Sequence, residues 1–274
     1  MRNLFVIASL LALTVGCQRE RDDRITEILD TVKKIDKRME NLEKARPPAM
    51  AAGAQAPRRG ADPNVVYNLP VETADVVRGA KTAKVTIIEG FDFACPYCAQ
   101  SRPALEQAAA KHPEDVRVVS KQFVVHPQVA TLPALAVCAA QKQGKATELE
   151  NAIWTDAWQD DNGRPKFDQT KLSQDNIEKL AAAQKLNVDK LKSDMKDKVC
   201  QDDIARQQKE LSTIGVSGTP AFYINGRVYQ GPRTVDAFNA AIEDEIKKVD
   251  AAIKAGAKAD SYYADLMKTA QKSL

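Results

Sequence analysis

The sequence predicts an α/β body whose strands are interrupted by a run of helices, with a coiled-coil helix ahead of it. Three observations carry this. The β-branched run "AKVTIIEGF" (83–91) leads into a helix-like segment that starts "CPYC", and "DVRVVSKQF" (115–123) follows as a second strand. Strand character returns only at "TPAFYING" and "RVYQG" (219–231), joined across Asn225-Gly226, a strong hairpin signal. Upstream, "RITEILDTVKKIDKRMENLEKA" (24–45) places Ile25, Ile28, Val32, Ile35, Met39 and Leu42 at alternating steps of three and four, a heptad stripe.

The first residues read as an export signal. Arg2 supplies positive charge, Leu4 to Val15 is an apolar stretch too short to span a bilayer, and small residues end at Gly16-Cys17. That ending is similar to the lipobox of bacterial lipoproteins, with Thr14 where Leu is usual, so residues 1–16 are expected to be removed and Cys17 lipidated. The plainer alternative is an ordinary signal peptide with an unrelated cysteine. Gln18 lacks the Asp that retains lipoproteins in the inner membrane, which by the same resemblance points to the outer one.

Residues 17–46 form the expected anchored stalk. Ile at both a and d positions favours three or more strands, and Arg38 with Glu43 stands in a g-to-e′ relation that attracts between parallel chains. A homotrimer is the first expectation and a dimer the second; a single amphipathic helix is the alternative. Residues 47–63, rich in Pro, Ala and Gly, read as a spacer.

Residues 64–250 are the expected catalytic domain. An apolar "VVYNLPV" (65–71) suggests a first short strand. Pro103, early in the helix that follows Cys98, is expected to kink or break it. From Thr131 to Ser212 every signal is helical, in "LPALAVCAAQKQGKATELENAIWTDAW", "TKLSQDNIEKLAAAQKL" and "DKLKSDMKDKVCQDDIARQQKELSTIG", so residues 130–213 read as a helical insertion. "TVDAFNAAIEDEIKKVDAAIKAG" supplies a last helix, and 251–274 a helical tail of unassigned role.

Bulk composition narrows the function. Lys+Arg 40 against Asp+Glu 37 is nearly balanced and not gathered into a stripe, so nucleic acid is not an expected partner. Beyond the extreme N-terminus no apolar run approaches the roughly 20 residues of a membrane span. Five cysteines are an odd count; with Cys17 set aside, Cys95 and Cys98 form one pair, leaving Cys138 and Cys200.

The spacing of Cys95 and Cys98 carries chemistry. A thiol at a helix N-terminus meets unpaired N–H groups and the positive dipole end, which favour its thiolate. Pro96 fits the first turn, where its missing N–H has no partner to lose. Both sulfurs lie on one side of that turn, so Cys95 is expected to attack and Cys98 to resolve. Two other meanings remain: half a zinc site, or a purely structural disulfide. A closed zinc site needs two further ligands, and Cys138, Cys200, His112 and His126 form no recognisable knuckle, so neither metal nor cofactor is expected.

"VTIIEGFDFACPYC" together with "GVSGTPAFYINGRVYQG" resembles the DsbA/DsbG-type thioredoxin-fold disulfide oxidoreductases of the bacterial envelope, over roughly residues 65 to 250. The resemblance implies a cis peptide before Pro220, lying against the cysteine pair, and a Thr219 backbone that contacts substrate. Pro96 and Tyr97, between the cysteines, are the other active-site loop residues. It also implies that Glu89 is a buried acid relaying the Cys98 proton; a strand-end Glu reaching water is the alternative, and Lys121 is the expected charge partner. Cys138 and Cys200, even in number and both in the insertion, suggest a structural disulfide in an oxidising compartment, as relatives often carry; two separate buried thiols are the alternative. Trp154, Trp158, Phe222 and Tyr223 read as core or groove aromatics.

The expected function is thiol:disulfide interchange with cysteine-containing exported proteins, recharged by a membrane redox partner, on the periplasmic side of the envelope. Pro96-Tyr97 and Thr219-Pro220 look more like the isomerase side of that family, and an oligomerising stalk would set several sites around one scrambled substrate, so isomerase or reductase is preferred. A DsbA-like oxidase is the runner-up. A lipid-anchored chaperone or adaptor without redox turnover is the reading from another class.

Overall fold

The computed structural model describes residues 29–34, 36–38, 60–162 and 164–274. The chain divides into two units, Met1–Arg58 and Arg59–Leu274. In the first, residues 29–34 and 36–38 are helical, with Leu29 and Val32 exposed. Cys17, Gln18 and every heptad position except Val32 lie outside the described residues, as does the spacer up to residue 59.

The second unit is built on a five-stranded sheet of order β1-β3-β2-β6-β7. Its strands are β1 (Val76–Gly79), β2 (Val85–Phe91), β3 (Val116–Gln122), β6 (Ala221–Ile224) and β7 (Arg227–Val228). β2 runs parallel to β3 and antiparallel to β6, and every residue of it is buried. That explains why it shows no apolar–polar alternation from Val85 to Ile88: a central strand covered on both faces has no solvent side to keep polar.

Alternation along the strands sorts the core into two faces. Val85, Ile87, Val118, Phe222 and Ile224 pack with Leu105 of α1 (Pro96–Ala110) and with Phe238 and Ile242 of α7 (Val235–Lys254). Ile88, Val119 and Tyr223 face the other way, against Tyr67, Leu69 and Leu211. The chain between β3 and β6 adds α2 (Pro127–Gln141), α3 (Ala146–Ala157), α4 (Gln174–Ala183), α5 (Val188–Lys196) and α6 (Lys198–Thr213). Their apolar faces gather around Phe91, Phe93 and Trp154, next to Cys95 and Cys98. Cys138 of α2 and Cys200 of α6 are joined by a disulfide with Cα atoms 5.6 Å apart.

Several expectations are corrected. "VVYNLPV" is no strand of the sheet; Tyr67 makes one isolated bridge to Gln271, while the edge strand is β1, which "VVRG" did not announce because only Val76 of it is buried. The insertion is not wholly helical. β4 (Trp158–Asp161) pairs with β5 (Arg164–Phe167) in a mostly exposed hairpin whose polar residues and Pro165 give no strand pattern. Trp158 and Phe167, cross-strand partners, stack at 4.6 Å and hold it. The long helical signals also break, at Gly144 with φ 67° and at Asp197, which is extended and accepts from Val199 N–H. Pro103, conversely, does not end α1, which runs through it.

The tail has a structural role. α8 (Tyr262–Thr269) sends the Tyr263 hydroxyl to the Leu69 carbonyl at 2.6 Å, and Gln271 exchanges backbone bonds with Val66 and Asn68, so the C-terminus clamps the segment leading to β1.

Because the disulfide closes 62 residues of sequence separation, it restricts the unfolded chain substantially. Replacing both Cys138 and Cys200 by Ala is expected to cost about 4 kcal/mol of unfolding free energy by chain-entropy reasoning. Urea denaturation of the double variant and the oxidised parent measures it.

Candidate active site

The site begins where β2 ends. Buried Asp92 uses Oδ1 to accept from Ala94 N–H at 2.7 Å and Oδ2 to accept from Val125 and His126 N–H at 2.7 and 2.8 Å. One carboxylate therefore fixes the turn carrying Cys95 and the loop entering α2. Cys95 is the N-cap of α1 with an extended backbone, Pro96 occupies the first turn, and the Cys95 carbonyl accepts from Cys98 and Ala99 N–H. Both cysteines are free thiols and buried, while Pro96 and Tyr97 face solvent.

The loop before β6 closes over this turn. Thr219-Pro220 is cis, and the Cys95 thiol donates to the Thr219 carbonyl at 3.4 Å. Pro220 is buried and Gly218 exposed, so the backbone on the approach to Thr219 is open beside Cys95.

The two sulfurs differ electrostatically. Cys95 is lowered to about 6, first by the neighbouring Cys98 side chain, then by the Thr219 side chain and the backbone of Cys98 and Tyr97, against the opposing effect of burial. Cys98 is pushed well up, chiefly by burial, with its hydrogen bond to Cys95 and the charges of Cys95 and Glu89 adding. The helix N-terminus thus serves the outer sulfur and leaves the inner one protonated.

Glu89 is fully buried, and burial is the main cause of its raised carboxyl, opposed by Arg102 and Arg78. Lys121 is not its partner. Glu89 stands opposite Ser120 in the β2–β3 register, so Lys121, one residue on, points to the other face and binds Asp75 at 2.7 Å and Glu210 at 2.9 Å. The charges facing Glu89 are Arg78 of β1 and Arg102 of α1, at 3.3 and 3.8 Å, and both also bind Glu150 of α3.

Trp154 packs on Phe91 and Phe93, and Trp158 donates its indole N–H to the Phe93 carbonyl at 2.8 Å. Phe222 and Tyr223 lie in the two sheet cores. Among the described residues no group of three His, Cys, Asp or Glu side chains is placed to hold a metal ion. His126 pairs with Asp92 and His112 with Asn239. Sequence reasoning passed over Asp92, Arg78, Arg102 and Glu150. Asp92 sits three residues before Cys95 and was within reach; the others join through tertiary folding alone.

Residues 72–244 match a family model described as thioredoxin. The chain belongs to the thioredoxin family. Solved structures agree on the fold of this family member: BdbD from Bacillus subtilis in its oxidised form is 19% identical, with TM-score 0.57 over 69% of this chain and 100% of that one. The catalytic domain of Proteus mirabilis ScsC is 21% identical, with TM-score 0.53 over 66% and 93%. Curated relatives include a Na(+)/H(+) antiporter NhaA 3 of Salinispora tropica, 31% identical over 61% of this chain and 24% of the antiporter. The chain spans about a quarter of the length of the curated relatives it matches. No helix among the described residues is long and apolar enough to cross a membrane. The thioredoxin fold here has helices set between β3 and β6.

A folded thiol below its ordinary value favours the reduced fold above the unfolded range and loses that contribution as pH falls through about 6. Alkylation of the reduced protein should therefore rise with a midpoint near pH 6 at Cys95, while Cys98 stays unreactive through neutrality. Peptide mapping after pulses of iodoacetamide at graded pH checks both.

Proposed function

We propose that the protein is a thiol:disulfide interchange protein that works in the isomerase or reductase direction on exported proteins. The observation that carries this is the unequal pair: a lowered Cys95 thiol against the Thr219 carbonyl, with a raised, buried Cys98 behind it. The Cys95 thiolate attacks a substrate disulfide, forming a mixed disulfide and releasing one substrate thiolate. In isomerisation another substrate thiolate attacks the mixed disulfide, and the Cys95 thiolate leaves unchanged in oxidation state. In reduction Cys98 gives its proton to Glu89 and attacks the Cys95 sulfur; the substrate leaves with two thiols, and Cys95–Cys98 takes up the disulfide, losing two electrons. Exposed Tyr97 and the open backbone at Thr219 are the surfaces a substrate segment would meet.

The direction rests on Pro96-Tyr97 and Thr219-Pro220, which are similar to the isomerase side of the family, and on the heptad stripe of residues 25–42, which would gather copies, three by preference, around one substrate. The export signal and Cys17 support a lipid-anchored, periplasm-facing location with a membrane redox partner. Oxidase is the second reading, favoured by the lowered Cys95 thiol, since stabilising the thiolate makes the disulfide the better oxidant.

Acid-quenched cells labelled with a thiol-reactive mass tag separate the two. Isomerase or reductase predicts Cys95 and Cys98 mostly reduced; a mostly oxidised pair establishes the oxidase. Cys95→Ser should abolish reactivation of a scrambled disulfide substrate; a parent protein that reactivates none, yet keeps unfolded chains from aggregating as well as its Cys95→Ser variant does, would favour a holding role.

A further inference from the structure

Two buried acids and two guanidinium groups meet on one face of the sheet, contributed by four elements: Glu89 by β2, Arg78 by β1, Arg102 by α1 and Glu150 by α3, and the charge of Glu89 acts on Cys98. They are not arranged as two equal ion pairs. Both guanidinium groups converge on one oxygen of Glu150: Oε1 receives Arg78 Nη1 at 2.6 Å and Arg102 Nη1 at 3.0 Å, and also the Ser120 hydroxyl at 2.9 Å. Glu89 is left with the long contacts, 3.3 and 3.8 Å, both on Oε2. Its Oε1 is buried with no hydrogen-bond partner, as is Glu150 Oε2.

Attraction in a buried site falls with distance, so the acid holding the short contacts takes most of the arginines' stabilisation. A buried carboxylate oxygen without a donor is the place where an added proton costs least. We propose that Glu150 is a positioning residue for the Cys98 step: it draws Arg78 and Arg102 away from Glu89, leaving Glu89 the loosely held carboxylate that receives the Cys98 proton. This rests on the interchange reading above, in which Cys98–SH and Glu89–COO⁻ become Cys98–S⁻ and Glu89–COOH before the inner sulfur attacks.

The remaining groups around Glu89 fit the assignment. Glu106, on the outer side of α1, binds Arg102 Nε at 2.9 Å, and Asn151 accepts from Arg102 Nη2 at 2.8 Å, so Arg102 is anchored from α1 and α3 as well as at its shared nitrogen. The charges of Glu150 and Glu106 both act to hold the Glu89 carboxyl up, against Arg102 and Arg78. A purely structural Glu150 would need only to neutralise the arginines, and an evenly divided set of contacts would do that.

The test uses Glu150→Gln in the full chain. Without the Glu150 charge, both arginines have Glu89 as their nearest buried acid. In the reduced protein the carboxyl carbon of Glu89, assigned through Glu89→Gln and followed by carbon NMR on labelled glutamate, should titrate about one pH unit lower. The pH midpoint for resolution of a preformed mixed disulfide should move in the same direction, and Glu150→Asp should return both toward the parent. If Glu150→Gln does not fold, Glu106→Gln, whose side chain is half-exposed, removes the other competitor for Arg102 and should shift Glu89 the same way by less. An unmoved Glu89 titration and pH midpoint, with only thermal stability lowered, overturns the proposal. A parent protein that forms no mixed disulfide overturns the interchange reading instead, and the NMR titration still decides whether Glu150 governs Glu89.

Discussion

The site depends on one buried carboxylate, that of Asp92. Strand β2 ends at Phe91, and the next few residues must turn sharply so that Cys95 opens α1; such a turn leaves backbone N–H groups without partners, which is costly inside a protein. Asp92 accepts from Ala94, Val125 and His126 together, so the cysteine turn and the entrance to α2 are held by the same group. With that turn fixed, the Cys95 sulfur meets the Thr219 carbonyl from the far side of the chain, 124 residues away in sequence. A sulfur needs such fixed neighbours if its ionisation is to be set by geometry and not by solvent.

The sheet then separates two charged systems that would otherwise compete. Because side chains alternate between faces, Glu89 and Ser120 look toward α1 and α3, whereas Lys121 looks toward α6. On the first face two acids and two guanidinium groups cancel; on the second Lys121, Asp75, Glu210 and Arg206 form a network linking β3 to α6 and to the segment before β1. Buried ions are tolerated only when paired, and neither network is a cheap source of stability. Their value is positional: one gathers β1, α1 and α3 around buried Glu89 and Glu150, the other ties α6 of the insertion to the sheet.

Much of the fold was legible, for identifiable reasons. β2 and the Asn225-Gly226 turn announce themselves through β-branched runs and through backbone geometry that Gly and Asn accept, with φ 46° at Asn225 and 77° at Gly226. The cysteine turn was legible because its chemistry needs two thiols at one helix start. The β4–β5 hairpin was not, since exposed polar strands have no periodicity to display. Edge strand β1 hid for a similar reason. The partners of Glu89 were invisible because Arg78, Arg102 and Glu150 meet only when β1, α1 and α3 come together on one face of the sheet; Lys121, one residue past Ser120 in β3, was excluded by alternation that a correct register would have revealed.

On the interchange reading, Cys95, held between the start of α1 and the Thr219 carbonyl, is the sulfur that joins to substrate. Incubating the Cys98→Ser variant with an unfolded peptide carrying one disulfide, then mapping the covalent adduct by mass spectrometry, tests it most directly. A stable mixed disulfide at Cys95 is expected, with hydrogen exchange slowed at the backbone around Thr219. An adduct that fails to form, or that forms as readily on Cys98 when Cys95→Ser is used, would contradict it.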